Sequence, residues 1–110
     1  MSVYHPENSK DCVEFCRKNF NNTIIIKYGA EWCGPCKYIA PIFENFSKTY
    51  PELCFMEIDV EKCEDYEKCQ NIRSLPTFEC WHKNKLYKFH TGANPDDLEE
   101  MLNYALPSGN

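Results

Sequence analysis

Glu31-Trp32-Cys33-Gly34-Pro35-Cys36-Lys37 lies between Ile24-Ile25-Ile26 on one side and Ile39-Ala40-Pro41-Ile42-Phe43 on the other. The flanks decide how this stretch folds. A β-branched run within 23–28 suits a strand covered on both faces. Beyond the stretch, Ile39, Ile42, Phe43, Phe46 and Tyr50 recur at helical spacing, and Pro41 should kink that helix. Two cysteines separated by two residues therefore sit at a strand-to-helix turn. The N–H groups and partial positive charge of a helix N-terminus stabilise a thiolate, lowering its pKa below the ~8.5 of a free thiol. Cys33, at the exposed edge of the turn, is expected to attack a disulfide. Cys36, one turn inside, is expected to resolve the mixed disulfide. Gly34 lets a substrate backbone approach, and Pro35 stiffens the ring. The competing reading is a structural zinc knuckle, which needs two more ligands. The remaining cysteines, at 12, 16, 54, 63, 69 and 80, supply no second pair at that spacing, so no metal and no other cofactor is expected.

Working outward, the chain alternates strands and helices. Val3-Tyr4 reads as an edge strand blunted by Pro6. Asn8 or Ser9 can cap a helix reaching Phe20, with Cys12, Val13, Cys16 and Phe20 on its buried face. Residues 53–60 form a strand and 62–71 a short helix. Residues 77–82 and 86–90 form a hairpin around Lys83-Asn84-Lys85. Asn94-Pro95-Asp96-Asp97 is a strong helix start, followed by the apolar face Leu98, Met101, Leu102 and Ala105 and a stop at Pro107. The order is β-α-β-α-β-α-β-β-α. It implies an α/β fold with a central mixed β-sheet and helices on both faces, in a single domain over 1–110.

These residues carry a resemblance. The segment Ala30-Glu31-Trp32-Cys33-Gly34-Pro35-Cys36-Lys37, with Ile39-Ala40-Pro41-Ile42-Phe43, resembles the thioredoxin family almost letter for letter. Leu75-Pro76-Thr77-Phe78 resembles that family's cis-proline loop, and Thr91-Gly92-Ala93-Asn94 its loop before the last helix. The resemblance implies the thioredoxin fold and reversible dithiol–disulfide exchange at Cys33 and Cys36. It also implies a cis Leu75–Pro76 peptide opposite Cys33, and a shallow apolar substrate rim of Trp32, Gly34, Pro35, Leu75, Pro76, Gly92 and Ala93. Without it, an ordinary trans proline would be the expectation at Pro76, since cis accounts for only ~5% of such bonds. The implied partners are disulfide-containing protein substrates and a thioredoxin-reductase-like or other dithiol electron donor.

One position departs from the family. Lys27 occupies the place where most thioredoxins carry a buried Asp that helps take the proton from the second cysteine. Glu57, on the next strand, falls at the partner position, so a half-buried Lys27–Glu57 pair beneath the disulfide is expected. Burying an unpaired lysine is costly. The alternative is that Lys27 snorkels to solvent with no part in the chemistry. Glu57 then becomes the best remaining proton acceptor.

Bulk properties remove other functions. Net charge is −5 over 110 residues, without a basic face or run, which excludes nucleic acid and a membrane surface as expected partners. The N-terminal segment has neither a basic region nor an apolar core of a leader, and no stretch approaches the ~20 apolar residues of a span. A cytoplasmic setting is the default expectation. There the six extra cysteines read as thiols. Cys12 and Cys16, four apart on a helix, are poorly placed for a disulfide. Cys54 and Cys80 read as core, and Cys63 and Cys69 flank an acidic helix, with a regulatory bridge between them left open. Three functions compete: a protein-disulfide reductase, an oxidase or isomerase of a secretory compartment, and a thioredoxin-fold adaptor subunit. Gly-Pro between the cysteines and retention of both favour the first.

Overall fold

The computed structural model describes residues 2–105. The expected helix stop at Pro107 and the remaining C-terminal residues lie outside them. Helix α1 (Ser9–Lys18) is followed by β1 (Thr23–Gly29), α2 (Gly34–Thr49) and β2 (Cys54–Asp59). A 3₁₀ helix (Glu67–Asn71) leads to β3 (Thr77–His82), β4 (Lys85–Thr91) and α3 (Pro95–Ala105). The strands form one mixed sheet in the order β2-β1-β3-β4, parallel between β1 and β2 and antiparallel elsewhere.

The isoleucine run is central and buried, as its composition requires. Ile25 packs into a core with Phe43, Phe55, Phe78, Leu98 and Met101 on the α2 and α3 side. Ile24, Ile26 and Tyr28 face the opposite core, with Cys12, Met56, Ile58 and Tyr66 on the α1 side. Helix α3 begins as expected: the Asn94 side chain accepts from the N–H groups of Asp96 and Asp97 at 2.9 and 3.1 Å.

Four local expectations are corrected. Val3-Tyr4 does not form a strand; Tyr4 makes one parallel bridge to Met56, bonded to Phe55 and Glu57 of β2. Helix α1 stops at Lys18, leaving Val13 and Phe20 exposed and burying Cys12. A four-residue repeat drifts by about 40° per step around a helix, so the seam passes instead through Cys12, Phe15 and Cys16. The helix expected over 62–71 is only the 3₁₀ turn at 67–71. Cys63, Tyr66, Cys69 and Ile72 recur every three residues, and from Tyr66 onward each of these N–H groups bonds the carbonyl three residues back, which is the 3₁₀ period. The hairpin loop is two residues, Lys83 and Asn84, with φ of 50° and 62°, so Lys85 belongs to β4.

Candidate active site

Strand β1 ends at Gly29 and α2 begins at Gly34, which fixes Cys33 as the helix N-cap. Its Sγ accepts the N–H of Cys36 at 3.1 Å, so one otherwise orphaned donor of the first turn points at the sulfur. Pro35 occupies the first turn, where a missing N–H loses nothing. Pro41 is accommodated within the same unbroken 16-residue helix. Cys33 and Cys36 form a disulfide with Cα atoms 5.3 Å apart.

Exposure does not separate the two cysteines as the sequence suggested. Cys33 is 5% exposed and Cys36 3%, because in the bonded form each sulfur covers the other. What separates them is what each faces. Cys33 lines an open groove of about 650 Å³ together with Trp32, Gly34, Pro35 and Leu75 and with residues of the segment from Val60 to Ser74. Cys36 lines a smaller cavity of about 280 Å³ behind the disulfide, with Gly29, His5, Glu57 and Asp59. A Cβ at Gly29 would lie 3.2 Å from the Cys36 Sγ, so only a glycine leaves that sulfur unpressed.

The structure joins four of the seven expected rim residues: Trp32, Gly34, Pro35 and Leu75. Trp32 is 67% exposed and its indole N–H donates to Glu61 at 2.8 Å. Pro76, Gly92 and Ala93 lie outside the groove lining. Pro76 is buried, the Leu75–Pro76 peptide is cis, and the Gly92 N–H donates to the Pro76 carbonyl at 2.9 Å. Gly92 does this at φ 101°, a conformation open to glycine. Ala93 packs against the core beside α3.

Lys27 is fully buried and does not snorkel. Its Nζ donates to a Glu57 carboxylate oxygen at 2.7 Å and to the Cys36 carbonyl at 3.0 Å. The parallel register of β1 and β2 sets Lys27 opposite Glu57, which is 25% exposed. The other Glu57 oxygen lies 3.9 Å from His5 Nδ1. The ion pair thus ties the start of α2 to the sheet and carries a carboxylate into the cavity behind Cys36.

Sequence reasoning missed Gly29, His5, Glu61 and Cys69 in this region. Cys69 lines the same groove as Cys33, in the wall made by the segment from Val60 to Ser74. The three-residue spacing of Cys63, Tyr66 and Cys69 was the available signal for that wall. Outside the disulfide, burial pushes the thiols up: Cys80 to about 11 and Cys69 to about 12, with Cys12, Cys54 and Cys63 raised as well. Among the described residues no three or more His, Cys, Asp or Glu side chains gather to hold a metal ion. No helix among them is long and apolar enough to cross a membrane.

Known proteins share this arrangement. The thioredoxin family model matches residues 7–104. The chain belongs to the thioredoxin family. It is 38% identical over 82 residues to thioredoxin 1 of Plasmodium falciparum, covering 74% of this chain and 79% of that one. To human thioredoxin it is 35% identical over 80 residues, covering 73% and 76% of the two chains. A poplar thioredoxin h crystal structure superposes with a TM-score of 0.91 at 27% identity, covering 98% of this chain and 99% of that one. This thioredoxin-family chain is a thiol–disulfide oxidoreductase, a protein-disulfide reductase, and Cys33–Cys36 is its redox-active pair.

Proposed function

We propose that Cys33 is the attacking thiolate, Cys36 the resolving thiol and Glu57 the proton acceptor. One observation carries the assignment: the Cys33 sulfur caps α2, takes the Cys36 N–H at 3.1 Å and opens on the groove. The helix terminus favours charge on that sulfur and the groove gives it a substrate. Cys33 attacks one sulfur of a substrate disulfide and the other leaves as a thiolate. Cys36 then gives up its proton and attacks the Cys33 sulfur. The second substrate thiol departs, and the protein is left with the Cys33–Cys36 disulfide. A dithiol donor, such as a thioredoxin-reductase-like protein, returns two electrons.

Glu57 shares the rear cavity with Cys36 and takes the proton there, directly or through a water. Lys27 is a positioning residue: held by Glu57, it grips the Cys36 carbonyl and keeps the carboxylate in place. Trp32, Gly34, Pro35 and Leu75 contact the substrate. Pro76, Gly92 and Ala93 support that surface through the Gly92–Pro76 bond. The reading includes one domain over 1–110 and a cytoplasmic setting, which six unpaired cysteines support. The test is trapping. Cys36→Ser should accumulate mixed disulfides with a protein substrate through Cys33, and Cys33→Ser should accumulate none. The opposite pattern overturns the assignment.

A further inference from the structure

Five of the six remaining cysteines, Cys12, Cys16, Cys54, Cys63 and Cys69, gather in one cluster on the α1 side of the sheet. Two of them touch. Cys12, from α1, and Cys63, from the turn after β2, are both fully buried, and their sulfurs lie 3.6 Å apart with the Cys12 thiol directed at Cys63. They are 51 residues apart in sequence, so no spacing rule pairs them. A disulfide holds its sulfurs at ~2.05 Å, so closure needs a movement of about 1.5 Å. Cys16 is engaged elsewhere, 3.5 Å from the Tyr66 hydroxyl.

We propose that Cys12 and Cys63 are a second dithiol–disulfide couple, oxidised by a low-molecular-weight disulfide, whose bond clips α1 to the groove wall. The wall lends itself to this. Between β2 and β3 it is held by turns and a single 3₁₀ helix, with bonds such as Cys63 N–H to Asp59 and Tyr66 N–H to Cys63 and no strand pairing. Such a segment opens locally at lower free energy than the paired strands. Opening exposes Cys63 and Cys12 together.

The chemistry balances. Cys63 gives its proton to water and attacks the external disulfide, forming a mixed disulfide and releasing one small thiolate. Cys12 passes its proton to that thiolate and attacks the Cys63 sulfur, releasing the second small thiolate, which takes a proton from water. Two protein thiols are oxidised and one external disulfide is reduced to two thiols. Burial raises both groups at rest, whereas the hydrogen bond from Cys12 pulls Cys63 back down, so Cys63 is the sulfur that attacks first. Reversal needs only the established activity. The Cys33–Cys36 dithiol of a second copy reduces the Cys12–Cys63 bond and is itself left as the disulfide.

The test uses the full chain as wild type and as Cys33→Ser/Cys36→Ser. Each is reduced, equilibrated under native conditions with glutathione mixtures of rising oxidised fraction, blocked with an alkylating agent and mapped by peptide mass spectrometry. A Cys12–Cys63 cross-linked peptide should appear in both, with two fewer alkylated thiols in the double variant. The oxidised double variant should melt at a higher temperature than its reduced form, and adding Cys12→Ala should remove that rise. Catalytic wild-type protein with a reductant should speed loss of the cross-link. The proposal fails if Cys12 and Cys63 stay alkylated at ratios that fully oxidise Cys33–Cys36. It fails equally if Cys63 is found bridged to Cys69 or Cys16, or carries glutathione without bridging. The wild-type map decides the question even if a variant does not fold.

Discussion

Cys33–Cys36 and Cys12–Cys63 each bring two sulfurs together, in opposite surroundings. The first pair sits at the N-terminus of a 16-residue helix, with a backbone N–H aimed at one sulfur and a groove in front of it. The second lies in an apolar cluster, where desolvation and the nearby carboxylates of Asp59, Asp11 and Asp65 raise the Cys63 thiol. Reactivity therefore follows from which dipoles and charges face the sulfur, because only the thiolate attacks.

The most severe way to break that contrast is to exchange the pairs' importance. Cys33→Ser should reduce turnover of a protein disulfide to background, whereas Cys12→Ala and Cys63→Ala, assayed under reducing conditions, should remain near wild type. Comparable losses in all three would mean that the two environments are not functionally distinct.

The next effect concerns the buried charge pair. Glu57→Gln leaves the Lys27 ammonium buried with the Cys36 carbonyl and an amide oxygen as partners. Stability should fall by about 2–3 kcal/mol in denaturant unfolding, near the lower edge for a broken buried pair because Glu57 is partly solvated. Single-turnover kinetics should show slower resolution of the mixed disulfide with the first attack nearly unchanged. An unchanged resolution rate would remove Glu57 from the proton path.

Gly29→Ala sharpens the comparison without altering charge. The new Cβ meets the Cys36 Sγ at 3.2 Å, so the sulfur must yield by a few tenths of an ångström. A loss of about 1–2 kcal/mol is expected, confined to the active-site side, since nothing in the Cys12 cluster lies near that Cβ. Equal stability of the two proteins would show that the strand end can relax freely.

The last effect is alkaline, and it is gradual. Cys80, buried in β3, is pushed up from 9.0 to about 11 by desolvation, and Cys69 moves the same way to about 12. A raised folded-state thiol pKa favours the protonated form, so its contribution is complete below pH 9. It is lost as pH rises through 9 toward 11, because the unfolded chain then releases the proton first. Each such group should lower the stability of the reduced protein by at most ~1.4 kcal/mol per pH unit in that window. A flat profile from pH 9 to 11 would contradict the buried, protonated state assigned to these thiols.

Much of the fold could be read locally. The isoleucine run, the α2 face and the Asn94-Pro95 helix start depend on composition and period, and each stands where expected. The elements that moved were those whose periodicity was ambiguous. Cys12, Cys16 and Phe20 mimic a helix face until the drift of a four-residue repeat is counted, and the three-residue period from Cys63 to Ile72 specifies a 3₁₀ turn, not an α-helix.

The sequence by itself determined the position of the redox pair, because a helix-start motif places its own residues on its own N-terminus. It also determined that Lys27 would face Glu57 if both pointed inward. Tertiary structure alone decided that Lys27 is fully buried and grips the Cys36 carbonyl, that Glu57 opens into a cavity behind that cysteine, and that Cys69 shares the groove with Cys33. It alone brought Cys12 to Cys63 across 51 residues. Local patterning specifies turns and faces, whereas contacts between distant segments arise only when those faces pack together against a common sheet.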